Sequence, residues 1–239
     1  MSYNKKAVLA ANTAAIGLLL RLEKEQRTAT EEEQKVLRSY QGFGGLKCIL
    51  NRTDQPEDIR YWAKSEQDLF ASTCALKQLI YREAPSADMA KRYWESIKAS
   101  VLTSFYTDTR IVNAIADSLE KTGVTFRTCL DPSLGMGAFA ETLASHVGRV
   151  DAFEKDLLTA RIAQSLHLLG QSTIFVQQAP FESIEERAEA DKYDLIASNI
   201  PFGDFMVYDR AYNKGQDVIK KESTRTIHNY FFIKGLDSI

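Results

Sequence analysis

The stretch VTFRTCLDPSLGMGAFAETL, Val124 to Leu143, decides the fold class of this 239-residue chain. Its opening run VTFRTCL is rich in β-branched and aromatic side chains, and it predicts a strand that ends near Asp131. Gly135 and Gly137 then predict a turn, after which a helical pattern begins near Ala138. Glycine lets the backbone approach a ligand closely, and the start of a helix offers free amide groups. The stretch therefore predicts a strand, a ligand-facing turn and a helix in succession.

Three more short apolar runs follow in the second half of the chain. They are RVDAFE (149–154), TIFVQ (173–177) and YDLIAS (193–198). Helical patterns precede the first three strands and end on Gly123, Gly148 and Gly170, in the position where glycine commonly closes a helix. Strands that alternate with helices predict an α/β fold with a mostly parallel, Rossmann-like sheet and helices on both faces. In such sheets a ligand binds beyond the carboxyl ends of the strands, near the point where the strand order switches.

Residues 1–98 have a different character, because their apolar side chains recur at helical spacing. TEEE, Thr30 to Glu33, is a capping box that predicts the start of a helix toward Leu37. GFGG, Gly42 to Gly45, predicts the end of that helix and a turn, with a mobile ligand-binding loop as the alternative. We therefore divide the chain into a helical N-terminal region, residues 1–98, and an α/β region, residues 99–239.

Composition argues against several classes of protein. The formal net charge is −2, so any contact with nucleic acid has to come from a local basic patch. The three cysteines lie far apart without C-x-x-C spacing, which argues against a disulfide framework or a zinc site and suits the reducing cytoplasm. We expect no metal site. No segment is long and apolar enough to cross a membrane, so we expect a cytoplasmic protein without a membrane partner.

Two acidic residues lie at the ends of consecutive predicted strands. Asp131 ends the first, and Glu154 ends the second, where it is well placed to accept hydrogen bonds from both hydroxyls of a ribose. Gly135-Met-Gly137-Ala-Phe-Ala140 also fits G-x-G-x-x-G/A, the fingerprint of dinucleotide-binding folds. These features serve a nicotinamide cofactor or S-adenosylmethionine (SAM) equally well, so a nicotinamide oxidoreductase stays open at this point.

The fourth predicted strand runs into SNIPF, Ser198 to Phe202, and this segment favours methyl transfer over hydride transfer. The lone pair of an adenine amino group is delocalised into the ring, and two acceptors can pull the N–H groups out of that geometry. The side-chain oxygen of Asn199 can supply one acceptor and the main-chain carbonyl of Ile200 the other. Pro201 stiffens the segment, and Phe202 can stack on a base that has left its duplex.

The same segments carry a resemblance to a known family. LDPSLGMGAF (130–139) resembles motif I of class I SAM-dependent methyltransferases, FEKD (153–156) resembles motif II, and SNIPF resembles motif IV of the amino-group methyltransferases. TSFYTDTRIVNAI (103–115) is similar to motif X of N6-adenine DNA methyltransferases, and its place before motif I is that of the gamma group. The resemblance covers residues 99–239. GFGGLK and STRTIHNYFFIKGLD resemble methylase modules that accompany helicases on conjugative elements and phages.

The resemblance implies methyl transfer from SAM to the exocyclic amine of a flipped adenine in DNA. The implied cofactor site consists of Tyr106, Thr107, Asp131, Ser133, Gly135, Gly137, Glu154, Gln178 and Phe181, the last two at the cofactor's adenine. The implied catalytic residues are Asn199, Ile200, Pro201 and Phe202. Two positions depart from the family's pattern. Asp108 replaces the proline of motif X, where it can cap a helix instead, and Ile200 replaces the first proline of motif IV, whose carbonyl it retains.

Several alternatives stay open at this stage. In the family, the helix after motif IV leads into three more strands and a target-recognition region. We therefore expect the chain to be a fragment, partnered by a C-terminal continuation or a helicase module, with loss of activity in isolation as one alternative. The acceptor can instead be protein glutamine or RNA, and the chain can instead be a non-catalytic SAM- or DNA-binding module of a larger assembly.

The loop after SNIPF has two readings of about equal weight. It carries the basic residues Arg210, Lys214, Lys220, Lys221 and Arg225. In the functional reading these side chains follow a DNA backbone beside the flipped base. In the other reading they belong to a solvated loop, balanced by Asp204, Asp209, Asp217 and Glu222.

Overall fold

The computed structural model of the chain describes residues 4–167, 173–184 and 192–239. The chain forms two compact units. The first unit spans Met1–Phe105 and Asp156–Leu169, and the second spans Tyr106–Lys155 and Gly170–Ile239. The first boundary lies near the division expected after residue 98, whereas the return of the chain to the first unit at Asp156 was not expected.

The helices and strands of the described ranges follow one another in a mixed order. They are α1 (Lys5–Glu25), α2 (Glu31–Arg38), α3 (Phe70–Glu83), α4 (Ala87–Ser100), α5 (Thr109–Lys121), β1 (Phe126–Asp131), α6 (Ala138–Leu143), β2 (Val147–Glu154), α7 (Leu157–His167), β3 (Ile174–Gln178), β4 (Leu195–Ile196), α8 (Arg210–Lys214), α9 (Val218–Ser223) and α10 (Ile227–Leu236). Short 3-10 turns cover Lys47–Leu50, Pro56–Tyr61, Lys64–Leu69 and Phe181–Ser183.

The first unit is a helical bundle whose helix starts follow from the sequence. The predicted capping box is confirmed, because Thr30 N donates to Glu33 Oε2 at 3.0 Å and Glu33 N donates to Thr30 Oγ1 at 3.3 Å. Helix α7 belongs to this unit through its polar as well as its apolar side chains. Arg161 on α7 forms an ion pair with Glu23 on α1 at 2.9 Å and donates a hydrogen bond to Tyr93 on α4.

The GFGG segment is a turn between α2 and the first 3-10 turn, as predicted. Gly42 and Gly45 adopt φ angles of 68° and 76°, in the left-handed region that favours glycine. A Cβ atom on Gly44 would lie 1.9 Å from the carbonyl oxygen of Ser104, so no side chain fits there. The buried carboxamide of Asn12 fixes the turn from inside, since its Nδ2 donates to the Gly42 carbonyl at 2.5 Å.

The second unit contains a four-stranded, wholly parallel sheet in the order β3-β2-β1-β4. Strand β1 lies at the centre, where Asp131 is in register with Ala152 of β2 and Leu130 with Ile196 of β4. This order is that of the first four strands of a Rossmann-like fold, so the predicted α/β class is confirmed. The strand order switches between β1 and β4, and the carboxyl ends of these two strands are where a ligand site is expected.

The strand predictions are confirmed, although β4 is shorter than the apolar run around it. Only Leu195 and Ile196 pair with β1 as a strand. The residue before them contacts β1 through both main chain and side chain: the Asp194 amide donates to the Thr128 carbonyl at 3.1 Å, and the Asp194 carboxylate accepts hydrogen bonds from the amides of Arg127 and Thr128 at 2.7 and 3.0 Å. A side chain therefore replaces part of the ladder that a longer strand would form.

The three predicted glycine helix ends have different outcomes. Gly123 follows α5 with a φ of 71°, as predicted. The prediction for Gly148 was wrong: α6 ends at Leu143, a turn closed by the hydrogen bond from His146 N to the Leu143 carbonyl follows, and Gly148 lies inside β2. Gly170 lies outside the described residues.

An aromatic cluster forms the core on one side of the sheet. Phe181 and Phe231 pack with their ring centroids 4.9 Å apart, and Tyr212 and Tyr230 with theirs 5.5 Å apart. Leu130 of β1 is part of the same cluster, so α8 and α10 are packed onto the strand that carries the expected site. Across the described residues, no helix combines the length and apolar character that crossing a membrane demands.

Candidate functional site

Polar side chains from two neighbouring strands meet at the switch in strand order. Asp131 ends β1, and Ser198 follows β4. The Ser198 hydroxyl donates to Asp131 Oδ1 at 2.7 Å, and the amide of Ser133 donates to the same oxygen at 3.2 Å. The parallel pairing of β1 and β4 brings these residues together, because parallel strands end at the same edge of a sheet. The structure thus joins the segment that resembles motif I to the segment that resembles motif IV.

The Asp131 carboxyl group is buried and only half used by the protein. Asp131 is 1% exposed, and its Oδ2 has no hydrogen-bond partner among the described residues. Burial raises the pKa of Asp131 to about 7, against the opposing effect of the hydrogen bonds from Ser198 and Ser133. Buried polar atoms without partners are uncommon in folded proteins, and one at a strand switch point indicates a place for a ligand donor.

The glycine turn after β1 is held by Glu154 from the end of β2. The amide of Gly135 donates to the Glu154 carboxylate at 2.8 Å. Gly135 and Gly137 adopt φ angles of 57° and 89°, which few residues other than glycine tolerate. A Cβ atom on Gly135 would lie 2.9 Å from the ring of Tyr106, so the turn also packs closely against the aromatic residue of the motif X segment.

The segment before α5 has the cap that its sequence predicts. Asp108 is the N-cap residue, and its carboxylate accepts the Arg110 amide at 2.9 Å and forms an ion pair with the Arg110 guanidinium at 2.6 Å. Hydrogen bonds from Arg110 hold the pKa of Asp108 at about 2. Aspartate thus starts α5 where the family has proline, and it leaves Tyr106 and Thr107 half-buried directly before the helix.

The four predicted catalytic residues follow β4 in different environments. Asn199 and Pro201 are half-buried. The side chain of Ile200 packs against the aromatic cluster, so its main chain, and not its side chain, is left for a chemical role. Phe202 is 65% exposed and is therefore available to stack on a planar group.

Two predicted cofactor residues have environments that differ from the rest. Phe181 is 2% exposed and lies in the aromatic cluster beside Phe231, so the structure gives its ring a role in the core and no face for a ligand. Gln178 ends β3, is exposed, and donates from Nε2 to the Lys155 carbonyl at 3.5 Å. The unexpected burial of Phe181 follows from the packing of α10, which its sequence neighbours do not reveal.

Two functional or supporting features were missed in the sequence. Ser198 was not singled out, although a serine at a strand tip directly before Asn199 was a usable signal. Asp209, a solvated acid in one of the two readings of the loop, is 4% exposed and forms a buried ion pair with Lys234 at 2.8 Å. The Tyr230 hydroxyl donates to the same carboxylate at 2.6 Å, so this group fixes the loop after SNIPF to α10.

The segment from Phe202 to Tyr208 presents large apolar side chains to solvent. The exposed ones are Phe202, Phe205, Met206 and Tyr208. Beyond Asp209, Arg210, Lys214 and Lys221 are exposed and have no ion-pair partner within the described ranges, whereas Lys220 pairs with Asp237 and Arg225 with Glu222. The basic residues of the loop are thus partly neutralised, and three remain open to an anion.

Comparisons with known proteins give one sequence relative and two structural likenesses. No protein-family profile matches the chain. The chain is 30% identical over 139 residues to the defense against restriction protein B of Escherichia phage P1. That alignment covers 58% of this chain and 6% of the phage protein, so the chain matches a small part of its relative.

Two solved structures are similar to the chain at low sequence identity. One is from Listeria monocytogenes and is described as a class I S-adenosylmethionine-dependent methyltransferase, with a TM-score of 0.46, 15% identity, and coverage of 98% of this chain and 69% of that one. The other is described as the modification subunit of a type I restriction enzyme from Vibrio vulnificus, with a TM-score of 0.47, 13% identity, and coverage of 98% and 62%.

Proposed function

We propose that the chain is a SAM-dependent methyltransferase domain whose acceptor is the exocyclic amine of adenine in DNA. One observation carries the proposal. The glycine turn bound by Glu154 and the segment that contains Asn199 meet at the switch between β1 and β4, through the hydrogen bond from Ser198 to Asp131. This pairing of a cofactor turn with an amide-bearing strand end suits amine methylation and has no use in hydride transfer.

The residues around the glycine turn fit SAM. The buried Oδ2 of Asp131 has no hydrogen-bond partner among the residues that the structure describes, and it can accept from a ligand N–H group. Glu154 lies at the end of β2 with its carboxylate at the turn, where it can accept hydrogen bonds from ribose hydroxyls. Tyr106, Thr107, Ser133 and Gly137 line the same turn in the proposal, and Gln178 stands at the end of the neighbouring strand.

When bound, SAM supplies an electrophilic methyl group. The side-chain oxygen of Asn199 accepts one N–H of the target amine, and the main-chain carbonyl of Ile200 accepts the other. These two acceptors hold the nitrogen lone pair away from the ring π-system. The exposed ring of Phe202 stacks on the base, and Pro201 limits the freedom of the segment. The catalytic contribution of the chain is positioning and exclusion of water, with no covalent attachment to a side chain.

Two observations support DNA as the acceptor. The segment after Phe202 presents exposed aromatic side chains, and helices α8 and α9 that follow it carry Arg210, Lys214 and Lys221, which have no ion-pair partner among the described residues. Nucleic-acid sites commonly combine stacking surfaces with basic residues. The phage relative is named for defense against restriction, a process that acts on DNA.

The proposal is tested first by calorimetric titration of the chain with SAM and, separately, with NADH. We expect saturable SAM binding that weakens by about tenfold or more in Glu154→Ala, because two hydrogen bonds to a charged group are lost. Glu120→Ala, at an exposed acid on α5, is the matched control and keeps the wild-type affinity. Binding of NADH in place of SAM, or no SAM binding by demonstrably folded protein, rejects the cofactor assignment.

The acceptor is tested with radiolabelled SAM. Duplex DNA, RNA and a glutamine-containing peptide are offered in parallel, and the labelled nucleoside is identified after digestion. We expect label in N6-methyladenine of the DNA. Label in RNA or in the peptide retains the methyltransferase and replaces the acceptor, whereas SAM binding without transfer to any of the three indicates a non-catalytic module.

A further inference from the structure

The SNIPF segment is attached to the centre of the sheet by a side chain at the point where its strand ends. The amide of Ala197 donates to the Leu130 carbonyl at 3.1 Å, which continues the pairing of the two-residue strand β4 with β1. One residue later the link passes to the Ser198 hydroxyl, which donates to Asp131 at 2.7 Å and lies 3.4 Å from the Ser133 carbonyl oxygen. Asn199 follows immediately.

The two oxygens of Asp131 are used differently. Oδ1 receives both protein donors, the Ser198 hydroxyl and the Ser133 amide. Oδ2 is buried and receives none from the described residues. One carboxyl group therefore has two tasks: its first oxygen holds the strand end that carries Asn199, and its second is left for a donor other than the described residues.

We propose that Asp131 and Ser198 are positioning residues, which set the place of the Asn199 carboxamide and couple it to occupancy of the cofactor pocket. The inference rests on the proposed function and deepens it. A ligand N–H that reaches Oδ2 keeps the carboxylate charged, and a charged acceptor strengthens the hydrogen bond from Ser198. The arrival of the cofactor then tightens the segment that receives the amine, without any contact between the cofactor and Ser198.

The test compares Ser198→Ala, which removes the hydroxyl, with Ser198→Thr, which keeps it. Ser183→Ala is the matched control, because the Ser183 hydroxyl likewise donates a hydrogen bond of 2.7 Å, here to the Pro180 carbonyl and away from the strand switch. Three quantities are measured for each protein. They are the backbone amide exchange rates of Asn199, Ile200 and Phe202 with and without SAM, the dissociation constant for SAM, and the initial rate of methyl transfer.

In Ser198→Ala we expect amide exchange at these three residues to be about tenfold faster than in the wild type, as loss of one hydrogen bond to a charged acceptor implies. We expect a similar fall in the rate of methyl transfer and a SAM dissociation constant within about threefold of the wild type. Ser198→Thr recovers most of both losses, and Ser183→Ala changes neither. SAM slows exchange at these amides in the wild type and much less in Ser198→Ala.

Two results overturn the inference while leaving the proposed function intact: unchanged exchange in Ser198→Ala, or an equal loss of SAM affinity and transfer rate. A wild-type chain that does not bind SAM rejects the proposed function and the coupling to the cofactor. The exchange rates without ligand then still decide whether Ser198 holds the segment.

Discussion

At the scale of single residues, the candidate site is built mainly from side chains that the sequence already singled out. Asp131 and Glu154 were identified because two acids at consecutive strand tips lie beside a glycine turn, and Asn199 because its side-chain oxygen can accept from an adenine amine. The structure brings the first two to the glycine turn and joins the third to it through Ser198. Phe181 was expected to pack on the cofactor's adenine, and one of the two readings of the loop after SNIPF placed Asp209 among solvated acids; both residues are buried. Their burial depends on α10, which lies far along the chain, and no local pattern reports it.

Asn199→Ala tests the proposed acceptor of the amine. We expect the rate of methyl transfer to fall about a hundredfold or more, because one of two positioned acceptors is lost from the transition state. The dissociation constant for SAM stays within about threefold of the wild type, since Asn199 belongs to the amine side of the site. Asn229→Ala, at an exposed position on α10, is the control for the assay. Equal losses of SAM binding and methyl transfer would place Asn199 in the cofactor pocket instead.

Asp131 makes stability depend on pH in a direction opposite to that of most carboxylates. Its pKa is about 7 in the folded chain and has its ordinary value of 3.8 in the unfolded chain, so the folded state binds more protons between these pH values. The free energy of unfolding therefore falls as the pH rises through this window and levels off above it. The full difference corresponds to at most about 4 kcal/mol.

Asp131→Asn removes this slope. Urea unfolding at pH 5 and pH 8 measures it, with the change in unfolding free energy between the two compared for wild type and variant. We expect the wild type to lose about 2–3 kcal/mol more than Asp131→Asn, because asparagine has no charge to bury at the higher pH. An identical change in the two proteins would mean that folding does not change the protonation of the Asp131 carboxyl group between pH 5 and pH 8.

At the scale of elements, periodicity identified the strands because a parallel sheet buries nearly continuous apolar runs. The runs RVDAFE and TIFVQ became β2 and β3 with ends close to those predicted. The run YDLIAS became a strand of two residues, and beside it the carboxylate of Asp194 accepts the amides of Arg127 and Thr128, which a longer strand would bind through its main chain. Gly148 shows that sequence alone does not locate element ends, because a glycine can close a helix or lie inside a strand, and its hydrogen-bond partners decide which.

The buried ion pair between Asp209 and Lys234 fixes the loop after SNIPF to α10, and this makes a stability prediction. Asp209→Leu is expected to lower the free energy of unfolding by about 3–5 kcal/mol, because it leaves the Lys234 ammonium buried without its carboxylate. The double variant Asp209→Leu/Lys234→Met recovers most of that loss, since the uncompensated charge is gone. Urea unfolding at constant pH measures all three proteins. A double variant no more stable than Asp209→Leu would assign the loss to the Tyr230 and main-chain hydrogen bonds instead.

At the scale of the whole molecule, the sequence predicted a helical part and an α/β part, and the structure forms two compact units. The sequence did not predict that Asp156–Leu169 returns to the first unit. Helix α7 has the apolar spacing of any helix between two strands. Helix α7 belongs to the first unit because Arg161 on it contacts Glu23 and Tyr93. Both residues lie far earlier in the sequence, so no local pattern reveals the contact.

The proposed binding of DNA predicts a dependence on salt that belongs to the surface as a whole. Replacement of Arg210, Lys214 and Lys221 by glutamine is expected to weaken binding to duplex DNA and to reduce the slope of log affinity against log salt by up to about 2.7, at about 0.9 for each lost phosphate contact. Fluorescence anisotropy across a salt series measures both. Glutamine at the exposed Lys35, Lys91 and Lys121 changes net charge equally and is the control. Equal effects of the two triple variants would mean that Arg210, Lys214 and Lys221 contribute only through net charge and do not contact DNA phosphates.

The brevity of β4 also bears on how copies of the chain behave toward each other. A strand at the margin of a sheet offers its unpaired amide and carbonyl groups to any other strand that comes near, and long, flat margins recruit such strands into aggregates. Here the margin formed by β4 is two residues long and is followed at once by Ser198, whose hydroxyl is turned inward to Asp131. Among the described strands, the margin next to the proposed catalytic segment is thus a poor template for self-association, at the place where the proposed chemistry uses open main chain.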